Sequence, residues 1–303
     1  MIKAIFPWLG GKNRQAANLL PIFDKIARTC YCEPFGGSGA VFCNKKPEFY
    51  EVYNDINSLL YNFFKVIRRK DAAATFERLA VVSPQCRATW REYRSICLAA
   101  YNGDREQCDA LVKAAFLDDY ETDVVVAFCF LYCMRLGFGG KFLSAFAAGA
   151  SGDTRRCYSH EYKHAVERIA EYTRRFDRVT IENLDAFECL SKYDAPETLF
   201  YIDPPYDVEC SKSYDSGWTE SETRRLVDFL KTCSGSVVLS CYNSPIYQEL
   251  FNAGYIKRDF EALMTVCKTK REPRVETVYY MLSHYAKEKL REQRSKTFLF
   301  NDF

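Results

Sequence analysis

The segment Leu199-Phe200-Tyr201-Ile202-Asp203-Pro204-Pro205-Tyr206 joins a short apolar run to a turn that contains two prolines and ends in an aromatic ring. A continuous apolar run of this length, bounded by turn residues, predicts a strand buried on both faces, as in the parallel sheet of an α/β fold. Each proline removes a backbone N–H and stiffens the turn, so carbonyl oxygens and the Asp203 carboxylate dominate its polarity. The segment therefore predicts an acceptor-rich turn at the end of a central strand.

Such a turn suits the chemistry of an amino group. An aromatic amine is a poor nucleophile because its lone pair is delocalised, and acceptors for its two hydrogens push the nitrogen toward a reactive tetrahedral geometry. We predict Asp203 and the Pro204 carbonyl as these acceptors, in a turn stiffened by Pro205. Tyr206 would stack on the base, a contact worth about 1–3 kcal/mol. This pattern predicts an amino-methyltransferase, and the alternative is a proline-stiffened loop at a strand end.

Length and composition indicate a folded chain with a sizeable core. With 303 residues, 48% hydrophobic and 27% charged, it can form one large domain or one domain with an insertion. No apolar run approaches the roughly 20 residues of a membrane helix, and the N-terminus lacks a signal-peptide pattern, so we expect a cytoplasmic protein. The fourteen cysteines predict buried thiols of a reducing compartment, as at Cys129, Cys133, Cys189 and Cys241.

We predict no metal site. Only three histidines are present. His160 and His164 share a helical face, but cysteines at ligand spacing are missing nearby.

The net charge of +2 is unevenly distributed. Basic clusters occur at several points, and each alone is more typical of a solvated helix face or loop. The run from Lys268 to Arg274 contains Pro273 and reads as a loop that can follow phosphates. We therefore predict contacts to the phosphates of a nucleic acid from Lys268, Lys270, Arg271 and Arg274, and a solvated loop is the alternative.

A second motif lies nearer the N-terminus, where a short apolar strand ending in Glu33-Pro34 leads into Phe35-Gly36-Gly37-Ser38-Gly39. Closely spaced glycines let the backbone approach a ligand, and the helix that follows turns its N-terminus toward it. Asp55 follows the next strand at about 20 residues beyond Gly36, the spacing of a ribose acceptor in nucleotide folds. The glycines do not reproduce GxGxxG, and a tight structural turn is the alternative. Together these features predict a nucleoside-bearing cofactor.

The third motif is Phe6-Pro7-Trp8-Leu9-Gly10-Gly11-Lys12. Its two glycines let the chain pass close to a ligand, Trp8 offers a ring, and Lys12 offers a cation for an amino-acid carboxylate. The alternative is a turn before a helix with a surface lysine.

Taken in order, the segments 8–12, 33–42, 54–57 and 203–206 resemble the Dam-type, alpha-group DNA adenine methyltransferases. The resemblance spans nearly the whole chain. It implies S-adenosylmethionine as methyl donor, adenine in double-stranded DNA as acceptor and N6-methyladenine as product. It also implies a base flipped out of the duplex, because a stacked and paired amine cannot reach the methyl donor. By matching position, the implied cofactor-binding residues are Trp8, Gly11, Lys12, Glu33, Pro34, Phe35, Gly36, Gly37, Ser38, Gly39, Asp55, Ile56, Asp185, Ala186, Phe187 and Asp203.

The long interval between the glycine loop and Asp203 indicates an insertion, because connections within βα units are short. Apolar spacing predicts helices over 76–82, 90–101, 110–117 and 124–134. A glycine-rich segment follows and resembles the family's DNA-contacting hairpin, near 135–149. The implied DNA-binding residues there are Arg135, Gly140, Lys141 and Phe142. Gly137, Leu143 and Ala145 depart from the family pattern, so GATC is only the default target.

Strands and helices alternate again after the insertion. Strands are predicted over 179–182, 199–202, 237–242 and 276–283, with a helix over 219–233. We therefore predict a Rossmann-like S-adenosylmethionine-dependent methyltransferase fold, an open, mainly parallel sheet with helices on both faces. The catalytic domain would comprise 1–60 and 165–303, and a mainly helical target-recognition domain would be inserted at 61–164. The resemblance implies a monomer.

Three alternatives remain open. RNA guanine and protein glutamine methyltransferases use a related tetrapeptide, but closer to the glycine loop and without the N-terminal Trp-x-Gly-Gly-Lys. A nicotinamide dehydrogenase would use the glycine loop and Asp55 but has no need of Asp-Pro-Pro-Tyr. A catalytically silent DNA-binding protein would bind DNA without incorporating methyl groups.

Overall fold

The computed structural model describes residues 3–116, 120–138, 144–147, 158–205, 218–242, 244–263 and 273–300. The chain divides into two compact units, and each is built from three separate segments. The first unit comprises Met1–Asn13, Gly37–Asn44 and Asp55–Asn183, and the second comprises Arg14–Gly36, Lys45–Asn54 and Leu184–Phe303.

Within its described residues, the second unit contains six strands. They are β1 (Cys30–Glu33), β2 (Tyr50–Asn54), β4 (Thr198–Ile202), β5 (Ser236–Tyr242), β6 (Ile256–Leu263) and β7 (Pro273–Met281). Their spatial order is β2-β1-β4-β5-β7-β6. β1 pairs in parallel with both β2 and β4, and β4 pairs in parallel with β5. β7 pairs antiparallel with both β5 and β6.

Helices cover both faces of this sheet. In the described part of the second unit they are α1 (Ala16–Phe23), α10 (Ala186–Tyr193), α11 (Glu220–Thr232), α12 (Pro245–Asn252) and α13 (His284–Phe300). All five residues of β4 are buried, as expected for a central parallel strand. On one face, Phe200 and Ile202 join a core with residues of α10, α11 and α12. On the other face, the ring of Tyr201 lies 5.5 Å from that of Phe23 in α1.

The first unit is mainly helical and is organised around α7 (Thr122–Leu136). Twelve of the fifteen residues of α7 are buried, which is typical of a helix surrounded by other helices. Four helices pack against it, α3 (Ser58–Ile67), α5 (Arg87–Tyr101), α6 (Arg105–Ala115) and α8 (Tyr158–Glu167). The described part of the unit also contains α2 (Ala40–Asn44), α4 (Ala72–Val82), α9 (Ile169–Phe176) and the short strand β3 (Thr180–Glu182).

The predicted α/β class with a mostly parallel sheet is confirmed. Helices α4 to α7 lie over the four predicted helical ranges, and β3, β4, β5 and β7 lie over the predicted strands. Cys129, Cys133, Cys189 and Cys241 are buried free thiols. Throughout the described parts of the chain, no helix has both the length and the apolar character needed to cross a bilayer.

Candidate active site

The acceptor-rich turn begins where β4 ends. Asp203 is half-buried, Pro204 is buried and Pro205 is half-buried, while Tyr206 lies outside the described residues. β4 is the parallel neighbour of β1, with Cys32 opposite Phe200. Because parallel neighbours end at the same edge of a sheet, the turn after β4 and the turn after β1 emerge at the same edge.

The turn after β1 requires a glycine at position 36. Its amide donates a hydrogen bond to the Asn54 carbonyl oxygen at 2.8 Å. A Cβ at this position would lie 2.2 Å from the ring of Tyr53, a side chain with no exposed surface. The chain therefore passes so close to β2 that only glycine fits. Glu33 and Pro34, which precede this point, are buried, whereas Phe35 is half-buried.

Gly37 begins the part of the motif that belongs to the first unit, and it fixes the carboxylate of Asp55. Its φ is +50°, in the left-handed region that favours glycine. Its amide donates to Asp55 Oδ2 at 2.8 Å, and the amide of Asn57 donates to Asp55 Oδ1 at 2.9 Å. Each carboxylate oxygen therefore holds one backbone donor and keeps acceptor capacity for a further group.

The pKa of Asp55 lies above its ordinary value of 3.8, at about 6, because burial disfavours the charged form. The hydrogen bonds from the amides of Asn57 and Gly37 act in the opposite direction. Donors such as ribose hydroxyls would favour the ionised carboxylate further. Beside it, Ile56 is 65% exposed and offers an apolar side chain.

The N-terminal segment lies against the same glycine turn. The amide of Gly11 donates to the Trp8 carbonyl at 3.0 Å, and a Cβ on Gly37 would lie 3.1 Å from Trp8 Nε1. A Cβ on Gly11 would lie 3.5 Å from the hydroxyl of Ser38, which is buried. Lys12 is also buried and donates to the Gly10 carbonyl at 3.3 Å. The first unit thus gathers the candidate residues Trp8, Gly11, Lys12, Gly37, Ser38 and Asp55.

The helix after this turn has a smaller role than the sequence suggested. α2 has only five residues and begins directly after Gly39. We assign no anion-binding role to the end of so short a helix.

In the second unit, Asp185 caps α10. Its Oδ1 accepts a hydrogen bond from the Phe187 amide at 2.9 Å, and the side chain is exposed. Ala186 and Phe187, the first two residues of the helix, are buried. The Arg225 guanidinium carbon lies 3.8 Å from the centre of the Phe187 ring.

Trp218 was not anticipated from the sequence as part of the site. Its ring is parallel to that of Phe187, with centroids 5.9 Å apart and planes 6° apart, and it meets Phe35 edge-on at 5.3 Å. Its Nε1 donates to Thr223 Oγ1 at 3.1 Å. The only local signal is its place before the capping box of Thr219 and Glu222 that starts α11.

The predicted DNA contacts fall largely outside the described residues, as Gly140, Lys141, Phe142, Lys268, Lys270 and Arg271 do. Arg274 lies in β7, opposite Ala262 of β6. Gly137 and Phe146 form an antiparallel bridge, which joins the two arms of the predicted hairpin. Arg135 Nε donates to the Ile5 carbonyl at 2.5 Å, and its side chain is 13% exposed. A structural role therefore competes with the predicted DNA contact of Arg135.

Across the described ranges, no group of three or more His, Cys, Asp or Glu side chains is arranged to hold a metal ion. Of the two helical histidines, His164 lies 3.5 Å from Glu167 in α8.

Comparison with known proteins identifies the family. Residues 8–266 match the family of D12 class N6 adenine-specific DNA methyltransferases. The chain is 24% identical to the DNA adenine methylase of Haemophilus influenzae over 272 residues, which cover 83% of each chain. It is 23% identical to the type II methyltransferase M.CviBI of Paramecium bursaria Chlorella virus NC1A, over 86% of this chain and 90% of the relative. With its Asp-Pro-Pro turn at the end of a central parallel strand, the chain belongs to the D12 class of N6 adenine-specific DNA methyltransferases.

Proposed function

We propose that this protein transfers a methyl group from S-adenosylmethionine to the exocyclic amine of an adenine flipped out of double-stranded DNA. The observation that carries the proposal is the position of Asp203 and Pro204 at the same sheet edge as the glycine turn after β1. Family membership supplies methyl transfer to adenine in DNA. The donor, the flipped base and the roles of individual residues are the proposal.

The residues present fit S-adenosylmethionine. The Asp55 carboxylate keeps acceptor capacity beyond its bonds to the amides of Gly37 and Asn57, as ribose hydroxyls require. Lys12 lies in the same unit and supplies a cation that would pair with the methionine carboxylate. The ring of Trp8 lies beside Gly37. Asp185 is exposed and supplies an acceptor for the adenine amine. When bound, this cofactor supplies an electrophilic methyl group on a sulfonium.

Asp203 and the Pro204 carbonyl would accept the two hydrogens of the target amine. This aims the nitrogen lone pair at the methyl group and stabilises the positive charge that grows on nitrogen. Asp203 need not be a strong base, because the methylated amine loses its proton readily. Positioning would supply most of the rate enhancement. Tyr206 would stack on the flipped base and offset part of the few kcal/mol that flipping costs.

The helical region 61–164 is proposed as the target-recognition part, with the hairpin near 135–149 at the DNA. The basic residues Lys268, Lys270, Arg271 and Arg274 are proposed to contact phosphates. We propose GATC as the default target, in a protein that acts as a monomer.

The direct test is incubation with labelled S-adenosylmethionine and genomic DNA that lacks adenine methylation, followed by single-molecule sequencing of the product. We expect N6-methyladenine in one recurring motif, which also identifies the target. DNA binding without incorporation would instead support a catalytically silent binder. Incorporation into RNA or protein but not DNA would contradict the proposed substrate.

The role of Asp203 is tested by substitution. Asp203→Ala should abolish methylation while leaving calorimetric cofactor binding largely intact, because the lost group faces the target amine. Asp203→Asn keeps one acceptor oxygen and should retain a reduced rate. A large loss of cofactor affinity in both variants would place Asp203 mainly in the cofactor site.

A further inference from the structure

Asn54 is the last residue of β2 and has no exposed surface. Its side-chain amide donates to the carbonyl oxygens of Pro34 at 2.9 Å and Leu184 at 3.1 Å. Its Oδ1 accepts from the Leu184 amide at 2.8 Å. The Asn54 backbone carbonyl accepts from the Gly36 amide at 2.8 Å. One residue thus makes four hydrogen bonds to two other segments of the second unit.

Each of these segments carries residues of the candidate cofactor site. Pro34 and Gly36 belong to the turn after β1, and Leu184 directly precedes Asp185, the proposed acceptor for the cofactor adenine. Asn54 itself directly precedes Asp55, the proposed acceptor for the ribose. The two donors and one acceptor of a single amide therefore tie the backbone that directly precedes Phe35 to the backbone that directly precedes Asp185, within the second unit.

The side-chain type matches this role closely. An asparagine amide offers two N–H donors and one carbonyl acceptor. All three groups form hydrogen bonds here. Aspartate has no donor when ionised, serine has a single O–H, and glutamine is one methylene longer. Of the twenty residues, asparagine alone supplies this set at this length.

We propose that Asn54 is a positioning residue for the nucleoside half of the cofactor. The proposal rests on the proposed function, in which this site binds S-adenosylmethionine. Asn54 has no contact with the ligand in this role and acts through the second-unit backbone that carries Phe35, Gly36 and Asp185. The methionine half is assigned to the N-terminal segment around Trp8 and Lys12, which makes none of these hydrogen bonds.

The experiment compares Asn54→Ala and Asn54→Asp with the wild-type chain, using two probes in calorimetric titration. S-adenosylhomocysteine reports the whole cofactor, and adenosine reports the nucleoside half alone. Because small misplacements of binding groups are costly, we expect the Kd of S-adenosylhomocysteine to rise roughly 10- to 100-fold. The Kd of adenosine should rise by the same factor, since only the nucleoside half is affected. In methylation assays, KM for S-adenosylmethionine should rise while kcat stays within a few-fold of wild type.

Asn62→Ala is the matched control. Asn62 is also a largely buried asparagine, and its Nδ2 donates to the Asp123 carbonyl at 2.8 Å in the helical first unit. This variant should lower thermal stability and leave both Kd values unchanged. If Asn54→Ala does not fold, Asn54→Ser leaves a smaller cavity and removes the same bridge.

The outcomes separate the two proposals. Wild-type Kd values in a folded Asn54 variant, or a fall in kcat with unchanged KM, would overturn the positioning role and leave Asn54 a purely structural residue. Failure of the wild-type chain to bind S-adenosylhomocysteine would instead overturn the proposed cofactor, and the role of Asn54 with it.

Discussion

We predict that the pH dependence of cofactor binding follows the ionisation of Asp55. Its pKa of about 6 in the free protein means that about one-tenth of the carboxyl groups are ionised at pH 5. If ribose hydroxyls bind only the ionised form, the affinity for S-adenosylhomocysteine should fall about tenfold between pH 8 and pH 5, or about 1.4 kcal/mol. Calorimetric titration at four or five pH values measures this directly.

Asp55→Asn is the variant that isolates this carboxylate. It removes the charge. It also replaces one carboxylate oxygen, which now accepts a hydrogen bond from the amide of Gly37 or of Asn57, with an NH2 group that cannot accept one. Because hydrogen bonds to charged groups contribute about 1.5–3 kcal/mol each, its affinity at pH 8 should be about 10- to 100-fold weaker than wild type. Its affinity should also be flat between pH 5 and pH 8, so it serves as the control for every other group that titrates there. A flat wild-type profile, or an equally sloped profile in Asp55→Asn, would contradict the assignment.

The same group affects stability with a defined sign. Its pKa is raised above the ordinary 3.8 to about 6, so the folded chain binds more protons than the unfolded chain between these values. The contribution of Asp55 to stability is therefore present below about pH 4 and is lost as pH rises through 6. Asp55→Asn should remove this component from the pH profile of denaturant unfolding.

Two further substitutions test the packing of the second unit. Gly36→Ala should lower the free energy of unfolding by about 1–3 kcal/mol and weaken cofactor binding, because its methyl group would overlap the Tyr53 ring. Denaturant unfolding measures the loss of stability. Gly36→Ala combined with Tyr53→Leu should recover part of that stability. Lys45→Met should cost about 3–5 kcal/mol, since it removes the cation of the buried ion pair with Glu51 and leaves the carboxylate buried. Glu51→Gln added to Lys45→Met should recover stability, and equal melting temperatures for the single and double variants would contradict this reasoning.

The sequence pattern predicted those parts of the site in which a polar residue directly follows a strand. The run 199–202 and Asp203 are adjacent in the chain, so the strand and its terminal turn were both predictable. The same holds for β2 and Asp55. In each case, the strand is predicted by its apolar run and the site residue by the polar side chain at the end of that run.

The parts that depend on tertiary contacts were not predictable. Asn54 lies within the motif 54–57, but its role could not be predicted because its hydrogen-bond partners Pro34 and Leu184 are distant in sequence. The DNA contact of Arg135 stays a prediction, but the contacts of its guanidinium with backbone carbonyls near the N-terminus could not be predicted from the sequence. β6 was missed because Ile256–Leu263 contains charged residues, as suits a strand at the edge of a sheet.

The connectivity of the sheet has a consequence for synthesis on the ribosome. β1 pairs early with β2, but its other neighbour, β4, is translated roughly 170 residues later, on the order of ten to thirty seconds at typical elongation rates. Until β4 is translated, β1 has only β2 to pair with among its neighbours in the sheet, and a ribbon of these two strands would expose an apolar edge. Such ribbons are marginal in water and are templates for misassociation. The nascent protein should therefore depend on chaperones until residues beyond 202 leave the exit tunnel.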